Sequence, residues 1–231
     1  MRRNQTIIEL IPLTVGAVLI LVWTLTLLQA SLAQCVVNGF YAVIVLALLF
    51  CFYYILEKWL SHIIMSKRNI GQQKETVTNT LRINPLKSKD IVPSIKAIFL
   101  GFCTQYILGF IYTWFNVAKP DHTDLSNLPI SLLIISVVFV APIIEEITFR
   151  GFIHRCFESN PETSRTWMYI IPSFIFAILH VRYPFVLRLY HFILGLILVK
   201  LRETTHSLTP PIVVHASINA ISLMVITSQT S

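Results

Sequence analysis

Three sets of polar side chains stand out in an otherwise apolar sequence. Glu145, Glu146 and Arg150 lie inside an apolar run that begins near Leu128. Phe176-Ala177-Ile178-Leu179-His180 is an apolar stretch that ends on an imidazole. His215-Ala216-Ser217-Ile218-Asn219 sets an imidazole and a carboxamide four residues apart. A carboxylate beside an imidazole can polarise water, and two side-chain donors on one helix face can meet a developing oxyanion. Together these are groups suited to hydrolysis. Glu146 and Arg150 are i,i+4 neighbours on a helix and can pair, which keeps Glu146 charged. Glu145 points about 100° away and is free for a different task, that of a general base. Pro142 removes a backbone donor three residues upstream, so a local break in the helix is expected there.

The surroundings raise the significance of these groups. A charge at the centre of a membrane helix costs roughly 2.5–3.5 kcal/mol on the insertion scale, and such a group faces a partner or a water-filled cavity. Blander readings exist for each set. A Glu–Arg pair can simply fix helix packing, and a histidine at a helix end is often interfacial. A His–Asn pair can serve as an interhelical hydrogen bond worth about 0.6–2 kcal/mol. His62, His122, His154, His191 and His206 fall in loops or near span ends without a partner pattern, and a solvated or interfacial role is expected for them.

The elements that must carry these residues are membrane helices. The chain has 231 residues, of which 55% are hydrophobic and 13% charged, and its mean hydropathy is +0.71. Soluble domains carry about 25% charged residues, so a soluble class is excluded. Only helices and closed barrels satisfy their own backbone in lipid, and long unbroken apolar runs favour helices. The expected fold is an all-α, polytopic transmembrane bundle with about seven spans, in the range of about six to eight. The spans are Ile7–Leu28, Val36–Leu56, Ile95–Val117, Leu128–Ile153, Trp167–His180, Val186–Val199 and Pro210–Ile226. Residues 1–127 hold the first three spans and a basic loop over 57–93, and residues 128–231 hold all three polar sets; one membrane domain accommodates both. The first apolar run is too long for a signal peptide. Four scattered cysteines without CxxC spacing argue against disulfides and against a cysteine metal cluster.

The net charge of +7 comes without a basic stripe or nucleic-acid motif, so nucleic acid is not an expected partner. The basic residues instead orient the chain. With a cytosolic N-terminus, Arg2, Arg3, the loop residues Lys58, Lys67, Arg68, Lys74, Arg82, Lys87 and Lys89, then Arg155, Arg165, Lys200 and Arg202 lie inside. Lys119, Arg182 and Arg188 lie outside. The lipid bilayer is the expected partner, and a bacterial plasma membrane the expected location.

Taken in order, E-E-x-x-x-R, F-x-x-x-H and H-x-x-x-N on successive apolar helices resemble the CPBP family. That family comprises CAAX-type prenyl-protein endopeptidases and bacterial bacteriocin-processing and self-immunity proteins, also called the Abi family. The resemblance covers about Leu128 to Ile226. It implies a glutamate-dependent intramembrane endopeptidase acting on a membrane-associated peptide or protein. In that scheme Glu145 and His180 bind and activate a water, His215 and Asn219 stabilise the oxyanion, and Glu146 and Arg150 order the site. The family is often labelled metalloprotease. A Zn²⁺ ion held by Glu145, His180 and His215 would suit the donor types, but no H-E-x-x-H is present, and a directly activated water is the preferred reading. The alternative from another class is a non-catalytic immunity or regulatory membrane protein that binds a toxin or partner.

Depth offers a check. At 1.5 Å per residue, Glu145 lies roughly 12 Å above Ile153 and His215 roughly 10 Å above Leu208, but His180 lies roughly 20 Å above Trp167. A bent or re-entrant start at Trp167–Ile171 is therefore expected, with the site open to the cytosolic leaflet.

Overall fold

The structure, a computed structural model, describes residues 82–115, 129–158, 164–180 and 183–228. The first two expected spans and most of the basic loop lie outside these residues. Among the described residues every element is helical. Helix α1 is Ser88–Trp114. Helix α2 covers residues 130–158 in five consecutive segments. Helix α3 is Arg165–Leu179, α4 is Phe185–Thr205 and α5 is Thr209–Ser228. Three stretches are long and apolar enough to cross a membrane: Ser88–Trp114, Ile130–Ile153 and Thr209–Ser228. Helix α3 is a shorter apolar helix.

Helix α1 starts seven residues before the expected span, because Asp90 caps it. The Asp90 Oδ2 accepts the Lys87 backbone N–H at 3.0 Å, the carboxylate half of a capping box. Lys89, expected in the loop, is therefore helical. Helix α5 opens on Thr209-Pro210-Pro211, where proline sacrifices no intrahelical bond. Helix α4 ends at His206, whose φ of 51° is left-handed, a conformation histidine tolerates better than most residues.

Helix α2 alternates its winding. Its α segments are Ile130–Leu133, Ala141–Glu146 and His154–Glu158; its π segments are Ile134–Val140 and Ile147–Ile153. The six-residue α segment carrying both glutamates is thus flanked by wider π turns, which tend to occur at functional sites. Pro142 accounts for a defect in this ladder. The Ala141 N–H bonds to Ser136 O, five residues back. In that register Val137 O would receive the N–H of residue 142, and proline has none. The expected break at Pro142 takes the form of this altered winding rather than an interruption.

The core lies between α1, α4 and α5. Ala97 and Leu108 of α1 pack with Tyr190, Leu194, Leu198 and Leu201 of α4 and with Val214 and Ile218 of α5. Large apolar side chains such as Phe99, Tyr106 and Phe110 face outward from α1. In water that surface would mark an interaction site; in lipid it faces its solvent. Helix association in lipid relies on close packing and polar contacts rather than on hydrophobic burial. Gly195 shows such close packing, since a Cβ there would lie 2.8 Å from Ser173 Cβ of α3.

The start of α1 is clipped to the α4–α5 turn. Leu208 N–H donates to Arg82 O at 2.9 Å, and Thr209 Oγ1 donates to Asn84 O at 2.6 Å. Arg82 also pairs with Glu158 at 3.0 Å, so a loop residue expected only to orient the chain ties α1 to the end of α2.

Helix α3 corrects the expectation of a re-entrant start. It is continuous from Arg165 to Leu179 and passes through Pro172. The depth mismatch has another cause. Tyr169 lies beside His154, ring centroids 6.4 Å apart, so the first turn of α3 extends below the end of the π segment. From Tyr169, His180 rises roughly 16 Å along a continuous α3, so its height above the start of the helix needs no break in that helix.

Candidate active site

Helices α2, α3, α4 and α5 bring their polar residues together around the Phe176 ring. Phe176 is fully buried. Its ring meets Phe149 at 5.2 Å, His180 at 4.7 Å and His215 at 5.8 Å between centroids, all edge-on. The Arg150 guanidinium carbon stands 4.7 Å from the same centroid, a cation–π arrangement. Phe176 reads from the sequence as ordinary packing; here it spaces the charged groups.

Glu146 and Arg150 are both fully buried. The Arg150 Nη1 donates to Glu146 Oε1 at 2.7 Å, and Nη2 donates to Gly195 O at 3.3 Å. The i,i+4 pair expected on an α-helix thus persists across the start of a π segment. A residue with no side chain at 195 lets α4 approach α3 and presents its carbonyl to the guanidinium.

His215 sits between the two carboxylates. Its Nδ1 donates to Glu146 Oε1 at 2.8 Å, and its Nε2 stands 3.7 Å from Glu145 Oε2. The second distance exceeds hydrogen-bond length, so His215 does not tie up Glu145. With Nδ1–H committed to Glu146, Nε2 acts as a donor only when the ring carries a second proton. Glu145 and His215 are both buried.

His180 follows the last residue of α3, and its Nδ1 lies 2.7 Å from Phe176 O. A carbonyl only accepts, so Nδ1 carries the hydrogen and the neutral ring keeps its lone pair on Nε2. Asn219 Nδ2 donates to Val137 O at 2.9 Å, the carbonyl that Pro142 leaves without a helical partner. An amide nitrogen has two hydrogens, so one remains for other use.

Two histidines differ from expectation. His191, expected to be solvated or interfacial, stacks on His180 with centroids 3.8 Å apart and planes 23° apart. Its Nδ1 lies 2.7 Å from Leu187 O. No spacing rule marks it, because it reaches the site only through the packing of α4 on α3. His154, also expected near solvent, is fully buried. It lies 3.7 Å from Glu203, and burial, then the Arg202 charge, pushes its pKa down to about 3. His206 is exposed at the end of α4, and His62 and His122 lie outside the described residues.

The fit to a metal can be tested on donor spacing. The Nδ1–H groups of His180 and His215 are each held by an acceptor, an outer arrangement typical of metal-ligating histidines. However, the trio of described residues whose ligand atoms all lie within 4.8 Å of one another is His154, Glu158 and Glu203, rather than Glu145, His180 and His215. Zinc ligands at about 2.0–2.2 Å from the ion must approach one another more closely than this. As arranged, the expected donors do not fit zinc. The other trio already holds a cation, since Arg202 donates to Glu203 at 2.7 Å and to Glu158 at 3.0 Å.

Residues 127–221 match the family model described as Type II CAAX prenyl endopeptidase Rce1-like, the protease family that the three motifs resemble. The match takes in all of the residues just described around Phe176. No curated protein and no solved structure matches the chain.

Proposed function

We propose, from the Rce1-like segment 127–221, that this integral membrane protein is an intramembrane endopeptidase that cleaves a membrane-associated peptide with a directly activated water. The observation that carries the reading is His215, bonded to Glu146 and standing 3.7 Å from Glu145, beside the His180–Phe176 pair. In this reading three sequence-distant motifs supply a base and a second acceptor for the water, and two donors for an oxyanion.

The proposed steps use only these groups. Glu145 takes one proton from a water whose other hydrogen is held by Nε2 of His180. The hydroxide oxygen bonds to the scissile carbonyl carbon, and the carbonyl oxygen takes up the negative charge. Nε2–H of doubly protonated His215 and the second Nδ2–H of Asn219 meet that charge, an effect worth about 3–4 kcal/mol per donor. The tetrahedral intermediate then collapses. The C–N bond breaks, and Glu145 returns its proton to the leaving amine. Glu146 and Arg150 fix the His215 ring from behind and do not touch substrate. No step passes through a metal, so a chelator is expected to leave the rate unchanged.

The test is cleavage of a quenched-fluorescent peptide bearing a prenylated C-terminal CAAX box, alongside its unprenylated form, by the purified protein in lipid. Glu145→Gln and His180→Ala are each expected to lower the rate by about 10²–10⁴-fold, the usual range for loss of a general base. Full activity of Glu145→Gln would refute the mechanism. In cells, a protective or peptide-maturing role in a bacterial plasma membrane should disappear with the same two variants. Protection retained by both would favour the non-catalytic binding role instead.

A further inference from the structure

We propose that His191 is a positioning residue that holds the His180 ring in its working plane and tautomer. The inference rests on the peptidase reading for its kinetic consequence but not for its structural one.

His180 needs such support because of where it stands. It follows the last residue of α3, with φ −83° and ψ 47°, so the helix no longer restrains its backbone. Its ring has one hydrogen bond, to Phe176 O, which leaves rotation about that axis open. The Phe176 ring touches it edge-on at 4.7 Å. The His191 ring covers a face at 3.8 Å with planes 23° apart, a van der Waals stack that resists such rotation.

The stacking ring is itself fixed. His191 projects from the interior of α4, and its Nδ1–H is tied to Leu187 O one turn earlier at 2.7 Å. Tyr183 and Tyr190 flank it, with centroids at 5.1 and 5.3 Å, and Phe176 closes the group at 6.0 Å. A rigid plate on α4 therefore backs a ring at a helix end. Catalytic groups must be held within a fraction of an ångström by packed neighbours to be effective. An aromatic plate does this without competing for the water, because the stacked faces offer no hydrogen bond between the two rings.

The experiment compares His191→Ala, His191→Leu and His191→Phe with the unmodified protein in lipid. Imidazole ¹⁵N–¹H correlation spectra report the His180 tautomer without any substrate. The unmodified protein and His191→Phe are expected to show His180 as a single Nδ1–H tautomer. His191→Ala and His191→Leu are expected to show exchange between tautomers, while their melting curves confirm that they fold. With the prenylated peptide, Ala and Leu should lower kcat by about 10- to 100-fold at unchanged KM, and Phe should restore most of it. An unchanged His180 spectrum in His191→Ala would overturn the proposal. So would a loss in His191→Phe as large as in His191→Ala, since the ring nitrogen rather than the stack would then matter. If the unmodified protein cleaves neither peptide while the His180 spectra behave as expected, the peptidase reading fails and the positioning role stands.

Discussion

Arg150 is bonded on two sides, to Glu146 and to Gly195 O, with the Phe176 ring against it. Removing the cation alone leaves Glu146 charged and fully buried. Arg150→Met should therefore destabilise the fold by about 3–5 kcal/mol, the usual penalty for breaking one side of a buried pair. Glu146→Gln added to it should recover part of that loss, because the stranded charge is removed. Thermal unfolding in lipid measures both. If the double variant is less stable than Arg150→Met, the pair is not the source of the loss.

Helix α2 is where the backbone is irregular, and Asn219 is the remedy supplied by α5. The Val137 carbonyl has lost its helical donor to Pro142 and takes Asn219 Nδ2–H instead. Asn219→Ala should cost about 1–3 kcal/mol, the penalty for a partly buried carbonyl left without a donor. In a Pro142→Ala background, where residue 142 regains its N–H, the same change should cost less. Equal losses in both backgrounds would mean that the bond does not mend the proline defect. Between α3 and α4 the margin is steric. Gly195→Ala places a methyl 2.8 Å from Ser173 Cβ, and neither helix can yield without moving the carbonyl that Arg150 holds. It should destabilise the fold by about 1–3 kcal/mol and lower peptidase activity.

The end of the protein that carries Arg82, His154, Glu158, Arg202 and Glu203 couples three parts of the fold to pH: the segment before α1, the end of α2 and the end of α4. His154 is neutral when folded, with its pKa near 3 against 6.5 for the free side chain. An unfolded chain takes up a proton below pH 6.5 that the folded chain refuses, so stability falls as pH drops from 6.5 toward 3. Burial pushes the Glu158 carboxyl up, but Arg202 and Arg82 outweigh it and hold the pKa below the usual 4.5. Its contribution is present above pH 4.5 and is lost as pH falls through the lower folded value, the same sign. The apparent Tm should therefore decrease between pH 6.5 and 5. In His154→Leu it should change much less over that interval, and an equal slope would place the acid sensitivity elsewhere.

Composition and apolar run length sufficed for the all-helical class and for helices near their described positions, because lipid forbids unsatisfied backbone and leaves few alternatives. The motifs carried the family resemblance, since Glu146–Arg150 and His215–Asn219 depend on local helical spacing. His191 stacking on His180, His215 reaching both carboxylates, Gly195 O meeting Arg150 and Asn219 mending Val137 all join different helices. Such contacts depend on how one helix rotates and slides against another, and packing across the bundle sets those quantities rather than spacing along the chain. The depth of α3 shows the same dependence, because its level became readable only from Tyr169 lying against His154.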